Sequence, residues 1–157
     1  VVFLGVSPQD KAVGVDRYEG FKQGFLANNP QGKISFVQTD FSFEQAYNLG
    51  DTVVSFEPSA VVCATDNIAL GLLRYFHEKK IHVPQDISLA GFGGYPVGSI
   101  SYPSLTSLAF DYKHLGIKTA EKLLSMLQNQ PVTSEYDHNM NLIIRESTRL
   151  AKIQNNI

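Results

Sequence analysis

Cysteine is nearly absent: the 157 residues contain only Cys63. An intrachain disulfide and a multi-cysteine metal cluster are therefore excluded. Cys63 sits in the apolar run Ala60-Val61-Val62-Cys63-Ala64, where a reduced thiol behaves as a small buried hydrophobe, compatible with a reducing compartment. Excess charge is missing too. Thirteen Lys and Arg against fifteen Asp and Glu leave a net charge of −2, a balance unsuited to gripping a phosphate backbone. No apolar stretch reaches the ~18 residues of a membrane helix. There is no repeat, low-complexity tract or block of like charge. The first residues, Val1-Val2-Phe3-Leu4-Gly5-Val6, lack the charged leader of a signal peptide and read as a strand, as the start of an exported protein with its leader removed also would. A hydrophobic fraction of 43% with little net charge argues against disorder.

Catalytic signatures are equally sparse. There is no phosphate loop of the Gly-x-x-x-x-Gly-Lys-Ser/Thr type and no Gly-x-Ser-x-Gly elbow. Gly91-Phe92-Gly93-Gly94 is glycine-rich, but no helix follows it at once, as a dinucleotide fingerprint requires. His77 and His82 lie five apart across a helix end and a turn, a poor metal spacing, and with His114 and His138 they read as surface residues. No nucleophile, acid–base pair or metal cluster falls at a strand edge, so neither an enzyme nor a bound cofactor is expected.

What is present is an alternation of short apolar runs and longer amphipathic ones. Strands are expected at residues 1–6, 33–38, 60–64, 87–91, 105–110 and 141–145, and helices at 16–27, 43–55, 66–80 and 112–127. Ser42 with Gln45 forms a capping-box pattern, and Asp66 is a candidate cap for the helix after the third strand. A loop rich in Gly, Pro and Tyr spans 92–103. The β-α-β-α-β-α-β order implies an α/β fold: a parallel sheet with helices on both faces and all strand C-terminal ends on one edge. Ligands of such sheets bind outside that edge, where loops 7–15, 39–43, 65–67 and 92–95 meet.

Those loops carry Asp16, Arg17, Asp40, Phe41, Thr65 and Asp66. An aromatic face, a guanidinium fork and short carboxylates suit carbohydrate recognition: the apolar face of a pyranose stacks on a ring, and Arg fixes vicinal hydroxyls with rigid donors. Each residue has a plainer reading. Arg17 is also an ordinary first-turn residue, Asp16 a cap or dipole partner, Phe41 a core residue, and Asp66 a cap rather than a contact. The pattern alone supports a small-molecule-binding α/β lobe.

Several segments together go further. Asp16-Arg17-Tyr18-Glu19-Gly20-Phe21 resembles the R-x-x-G-F segment of the lactose/galactose repressor (LacI/GalR) family. Ala64-Thr65-Asp66-Asn67-Ile68-Ala69-Leu70-Gly71 resembles its N-D-x-x-A-x-G segment, and Val83-Pro84-Gln85-Asp86-Ile87-Ser88-Leu89-Ala90-Gly91-Phe92 its V-P-x-D-I-S-V-x-G segment. Pro103-Ser104-Leu105-Thr106-Ser107 and Leu142-Ile143-Ile144-Arg145-Glu146-Ser147-Thr148 are similar to its P-x-L-T-[ST] and closing L-x-x-R-x-S-T. They occur in the family's order across nearly the whole chain.

The resemblance implies a lobe like that of periplasmic sugar-binding proteins, a Rossmann-like three-layer arrangement, from the C-terminal part of a repressor's effector domain. Residues 1–109 would form the distal lobe, 110–130 a crossover helix of the proximal lobe, 131–150 a return strand and 151–157 a tail. The DNA-binding domain would lie outside this chain. By the same resemblance Arg17 holds sugar hydroxyls, Phe41 stacks on the ring, Thr65 faces the ligand, Asp66 caps the next helix and Phe110 adds apolar surface. Gly93 departs from relatives that carry an acidic acceptor there. Leu70, Leu73, Arg74 and Tyr102 match positions of a homodimer interface. The implied protein is a cytoplasmic repressor with a sugar effector, a disaccharide or sugar phosphate among the candidates, operator DNA bound only through the domain outside this chain, and no metal. The rival is a periplasmic sugar-binding protein of a transport system.

Overall fold

A computed structural model describes residues 1–133 and 140–150; His138 and the expected tail lie outside the described residues. Strand β1 (Val2–Gly5) is buried along its whole length, as a central strand covered on both faces must be. Around it lie β2 (Ser35–Gln38), β3 (Ala60–Cys63), β4 (Ser88–Gly93), β5 (Thr106–Phe110) and β6 (Met140–Ile143), in the order β2-β1-β3-β4-β5-β6. The first five are mutually parallel. β6 is antiparallel to β5, pairing Phe110 with Met140 and Ser107 with Ile143, so the sheet is the expected parallel one except at this last strand, whose C-terminal end falls on the opposite edge. The chain leaves β5 through α6 (Tyr112–Leu127) and re-enters beside the end it left, so β6 has to run back. Past β6 the Ser147 hydroxyl donates to the Leu89 carbonyl (2.6 Å) and accepts from Thr106 N–H (2.8 Å), stitching the returning chain across β4 and β5.

Helix α1 (Arg17–Asn28) lays Tyr18 and Phe21 on the Phe3 ring, 5.3 and 5.4 Å between centroids. It is entered through a π-helical turn over Lys11–Asp16 where a loop was expected, and the cap is Asp10, whose side chain accepts from Val13 N–H. Asp16 caps nothing; its carboxylate pairs with Lys11 at 2.8 Å. Ser42 caps as the sequence indicates, accepting from Gln45 N–H at 3.1 Å. The helix it opens is broken into α2 (Phe43–Asn48) and α3 (Gly50–Val54). Gly50 lies with its bare backbone on the Tyr75 ring, and glycine weakens a helix interior by ~1 kcal/mol. A short helix α5 (Val97–Ile100) interrupts the loop after β4.

Helix α4 (Asp66–Glu78) is the most deeply set. Ile68, Ala69, Leu72, Leu73, Tyr75 and Phe76 join Val2, Phe3, Leu4, Val61 and Leu89 in the core. It crosses α2 so closely that a Cβ on Gly71 would strike the Phe43 carbonyl and Ala46. Cys63 is fully enclosed, and burial pushes its thiol pKa up, away from the reactive thiolate. No helix among the described residues is long and apolar enough to cross a membrane.

Two outcomes follow. Gly71→Ala should destabilise the chain by ~1–3 kcal/mol in a urea titration through overpacking, although helix propensity alone predicts a gain. Cys63 should resist iodoacetamide in the native state and react once the chain is denatured, as mass spectrometry of quenched samples would record.

Candidate functional site

The strand order reverses direction between β1 and β3: β1 continues to β2 on one side, and the later strands build outward on the other. At such a switch point the diverging connections leave a crevice at the C-terminal edge. Arg17, the first residue of α1, spans this crevice. Its Nη1–H donates to the carbonyl of Ala64, just past β3, at 2.6 Å. Its guanidinium lies over the rings of Phe92 from β4 and Phe110 from β5, 5.3 and 5.4 Å from the centroids. Burial lowers the pKa of Arg17 from its ordinary value, opposed by Tyr95, Tyr112, Asp10 and Asp66; an arginine so placed stays cationic. Two rings and one carbonyl thus hold the fork.

Asp66 supports the opposite wall. It is fully buried, beside Gly91 of β4, where any side chain would strike its carboxylate. Its two oxygens accept from Tyr95 N–H (2.7 Å) and from the Ser107 hydroxyl (2.5 Å). Ser107 in turn accepts from Gly94 N–H at 2.9 Å. One carboxylate therefore joins the start of α4, the turn after β4 and the beginning of β5. The cap of α4 is Thr65, whose hydroxyl accepts from Ile68 N–H at 3.3 Å, so the expected capping role of Asp66 is corrected by one residue. Thr65 is buried and its hydroxyl accepts from Ile68, which leaves its O–H free to donate; Asp66 is a brace beneath the rim.

The other expected contacts fall as follows. Phe41 follows the edge strand β2 and is 48% exposed, which removes the core reading. Its carbonyl accepts from the Asn67 amide at 2.7 Å. The neighbouring Asp40 is held below the usual carboxylate range by the Ser42 hydroxyl and backbone N–H. Phe110 meets Arg17 directly, and Phe41 is tied to the start of α4. Gly93 has φ +128° and lies under the Tyr95 ring. Phe92, Tyr95 and Tyr112 went unsingled in the sequence. The alternating burial of Ser88–Gly93 explains Phe92: its side chain falls on the face opposite Leu89 and Gly91.

Four helical segments entered from this edge have one first-turn N–H bonded to a side-chain oxygen, from Asp10 before the π-helical turn into α1, Ser42 before α2, Thr65 before α4 and Asp111 before α6, whereas α5 has no such cap. Free N–H groups at helix starts are what phosphates use. With carboxylates at two of these caps, and Lys11 tied to Asp16, the rim suits a neutral, hydroxyl-rich ligand with an apolar face. Among the described residues no group of His, Cys, Asp and Glu could hold a metal ion.

The interface residues inferred by resemblance lie elsewhere. Leu73 is buried and Leu70 half-buried against the core, Arg74 is held by Glu78 through its Nε–H at 2.6 Å, and Tyr102 is 89% exposed. Leu73 and Tyr102 line an open groove of ≈ 780 Å³ with Ile81, Val83 and Pro84, at the N-terminal edge of the sheet.

Residues 1–148 match the family model described as periplasmic binding protein-like domain. The chain is 36% identical over 136 residues to the sucrose operon repressor of Staphylococcus xylosus, covering 84% of this chain and 41% of that protein. It is 27% identical over 148 residues to the ribose operon repressor of Halalkalibacterium halodurans, covering 92% and 43%. A crystal structure of a LacI family transcriptional regulator from Enterococcus faecium, with bound ribose, superposes with a TM-score of 0.86 at 25% identity, covering 96% of this chain and 57% of that one. Both curated relatives are repressors rather than enzymes, and the chain spans about two fifths of their length.

Asp66→Ala should orphan the Ser107 hydroxyl and Tyr95 N–H and lower stability by ~1–3 kcal/mol for each group left unpaired. Urea denaturation measures this, and hydrogen exchange at Tyr95 N–H should quicken with it.

Proposed function

Because the chain belongs to the periplasmic binding protein-like domain family, we propose that it is the effector-sensing part of a bacterial transcriptional repressor of the LacI/GalR type, taking a neutral sugar at the rim. The observation that carries this is the Arg17 fork, held at the switch point between Phe92, Phe110 and the Ala64 carbonyl. Such a fork fixes vicinal hydroxyls while rings accept the sugar's apolar face. Arg17, Phe41 and Phe110 are the proposed contacts. Thr65, Asp66 and Gly93 shape the wall behind them. The relatives' naming as operon repressors supports this reading over a transport protein, and with it a cytoplasmic location.

Residues 1–109 form the distal lobe in this reading, 110–130 a crossover into a proximal lobe and 131–150 the return. The exposed stripe Leu123, Leu124 and Leu127 on α6 supports the crossover, since a helix of this amphipathicity needs an apolar partner. Leu70, Leu73, Arg74 and Tyr102 form a proposed homodimer face, and operator DNA is contacted by a domain outside this chain. A sugar bridging the lobes selects one relative orientation and so the spacing of the DNA readers, with a coupling of ~1–3 kcal/mol.

A thermal-shift panel on the full-length protein tests this. At a hundred times Kd a neutral sugar adds ~2.7 kcal/mol of stability, so one or more of sucrose, lactose and ribose should raise Tm. Hexose phosphates should not, and Arg17→Ala should abolish the shift. A shift that survives Arg17→Ala, or one produced only by phosphates, contradicts the assignment.

A further inference from the structure

We infer that Tyr95 is the residue that sets sugar preference at this rim, offering a ring face in the place a side chain at position 93 would otherwise occupy. This rests on the reading of the rim as a sugar site. Gly93 ends β4 at φ +128°, and a Cβ built there would lie 2.8 Å from Tyr95 Cε1 and 3.1 Å from Cζ. The tyrosine ring thus occupies the space beside Gly93, and a side chain there would have to displace it. Gly94, at φ +68°, turns the chain so that Tyr95 folds back over Gly93, and no residue with a Cβ adopts both turns without strain.

The ring is aimed by the buried carboxylate below it. Asp66 accepts from Tyr95 N–H at 2.7 Å, and Ser107, itself bonded to Asp66, accepts from Gly94 N–H. The backbone on both sides of the Gly94–Tyr95 bond is pinned, while the side chain stays 40% exposed. Among the groups acting on the charge of Arg17, Tyr95 is the foremost that raises its pKa, and the Tyr95 side chain also acts on Tyr112. Tyr95 also stands three residues past Phe92, whose ring lies 5.3 Å from the Arg17 guanidinium that would hold the sugar.

The chemical consequence is a change of contact type. An acidic side chain at 93 would accept hydrogen bonds from hydroxyls; a tyrosine ring covers an apolar ring face and gives one phenolic hydroxyl. The ligand class this favours is a glycoside with a broad C–H face near Arg17, rather than a free pentose presenting hydroxyls on all sides.

The test is isothermal calorimetry on the full-length protein with sucrose, lactose and ribose as probes. Tyr95→Ala should weaken binding of the preferred sugar about tenfold or more. Tyr95→Phe should stay within about threefold, and neither should shift the ligand-free Tm greatly because the Asp66 bond is to the backbone. Gly93→Asp combined with Tyr95→Ala should move preference toward ribose. If Tyr95→Ala binds as tightly as the parent while Arg17→Ala does not, the inference is wrong and the sugar site stands. If no probe binds the parent protein, the sugar reading falls and this inference with it.

Discussion

A carboxylate with no access to solvent has to find hydrogen-bond donors within the protein, because leaving it unpaired is far more costly than any single bond gained on folding. Asp66 meets that demand with Tyr95 N–H and the Ser107 hydroxyl. Its donors come from elements 29 and 41 residues away, so satisfying one group fixes the start of α4, the turn after β4 and the beginning of β5 relative to each other. Phe92 and Phe110 lie at the ends of the strands so joined, and they are the two rings that flank Arg17. The rim is thus held together by hydrogen bonds within the protein itself.

This arrangement explains why one lobe carries a recognisable site. The switch point supplies the crevice, the parallel strands bring five turns to one edge, and Arg17 is tied to the far side of the crevice by the Ala64 carbonyl. Side-chain oxygens each take one N–H at four of the helix starts on this edge. The exposed apolar stripe Leu123, Leu124 and Leu127 of α6 is the surface that the proposed second lobe would cover.

Much of the fold was legible because it rests on local chemistry. The buried run at β1, the Ser42 cap and the limits of α6 follow from apolar periodicity and capping residues. Non-local contacts decided the rest. Thr65 and Asp66 are both good N-caps by type, and only the donors from Tyr95 and Ser107 draw Asp66 inward and leave the cap to Thr65. The break at Gly50 depends on the Tyr75 ring, and the direction of β6 on the path of the chain between β5 and β6. Arg17 and Phe110 were singled out by resemblance, and the structure brings the two into contact. Tyr95 was not singled out, because its position comes from a pair of glycines with positive φ and a carboxylate distant in sequence.

A crystal structure of the full-length protein with the sugar that stabilises it would test the central claim most directly. The account predicts Arg17 in the same place, still bonded to the Ala64 carbonyl between Phe92 and Phe110, with its other N–H groups on two hydroxyls of the sugar. A sugar bound away from the switch point, or an Arg17 that swings out of the ring sandwich to reach it, would contradict the account.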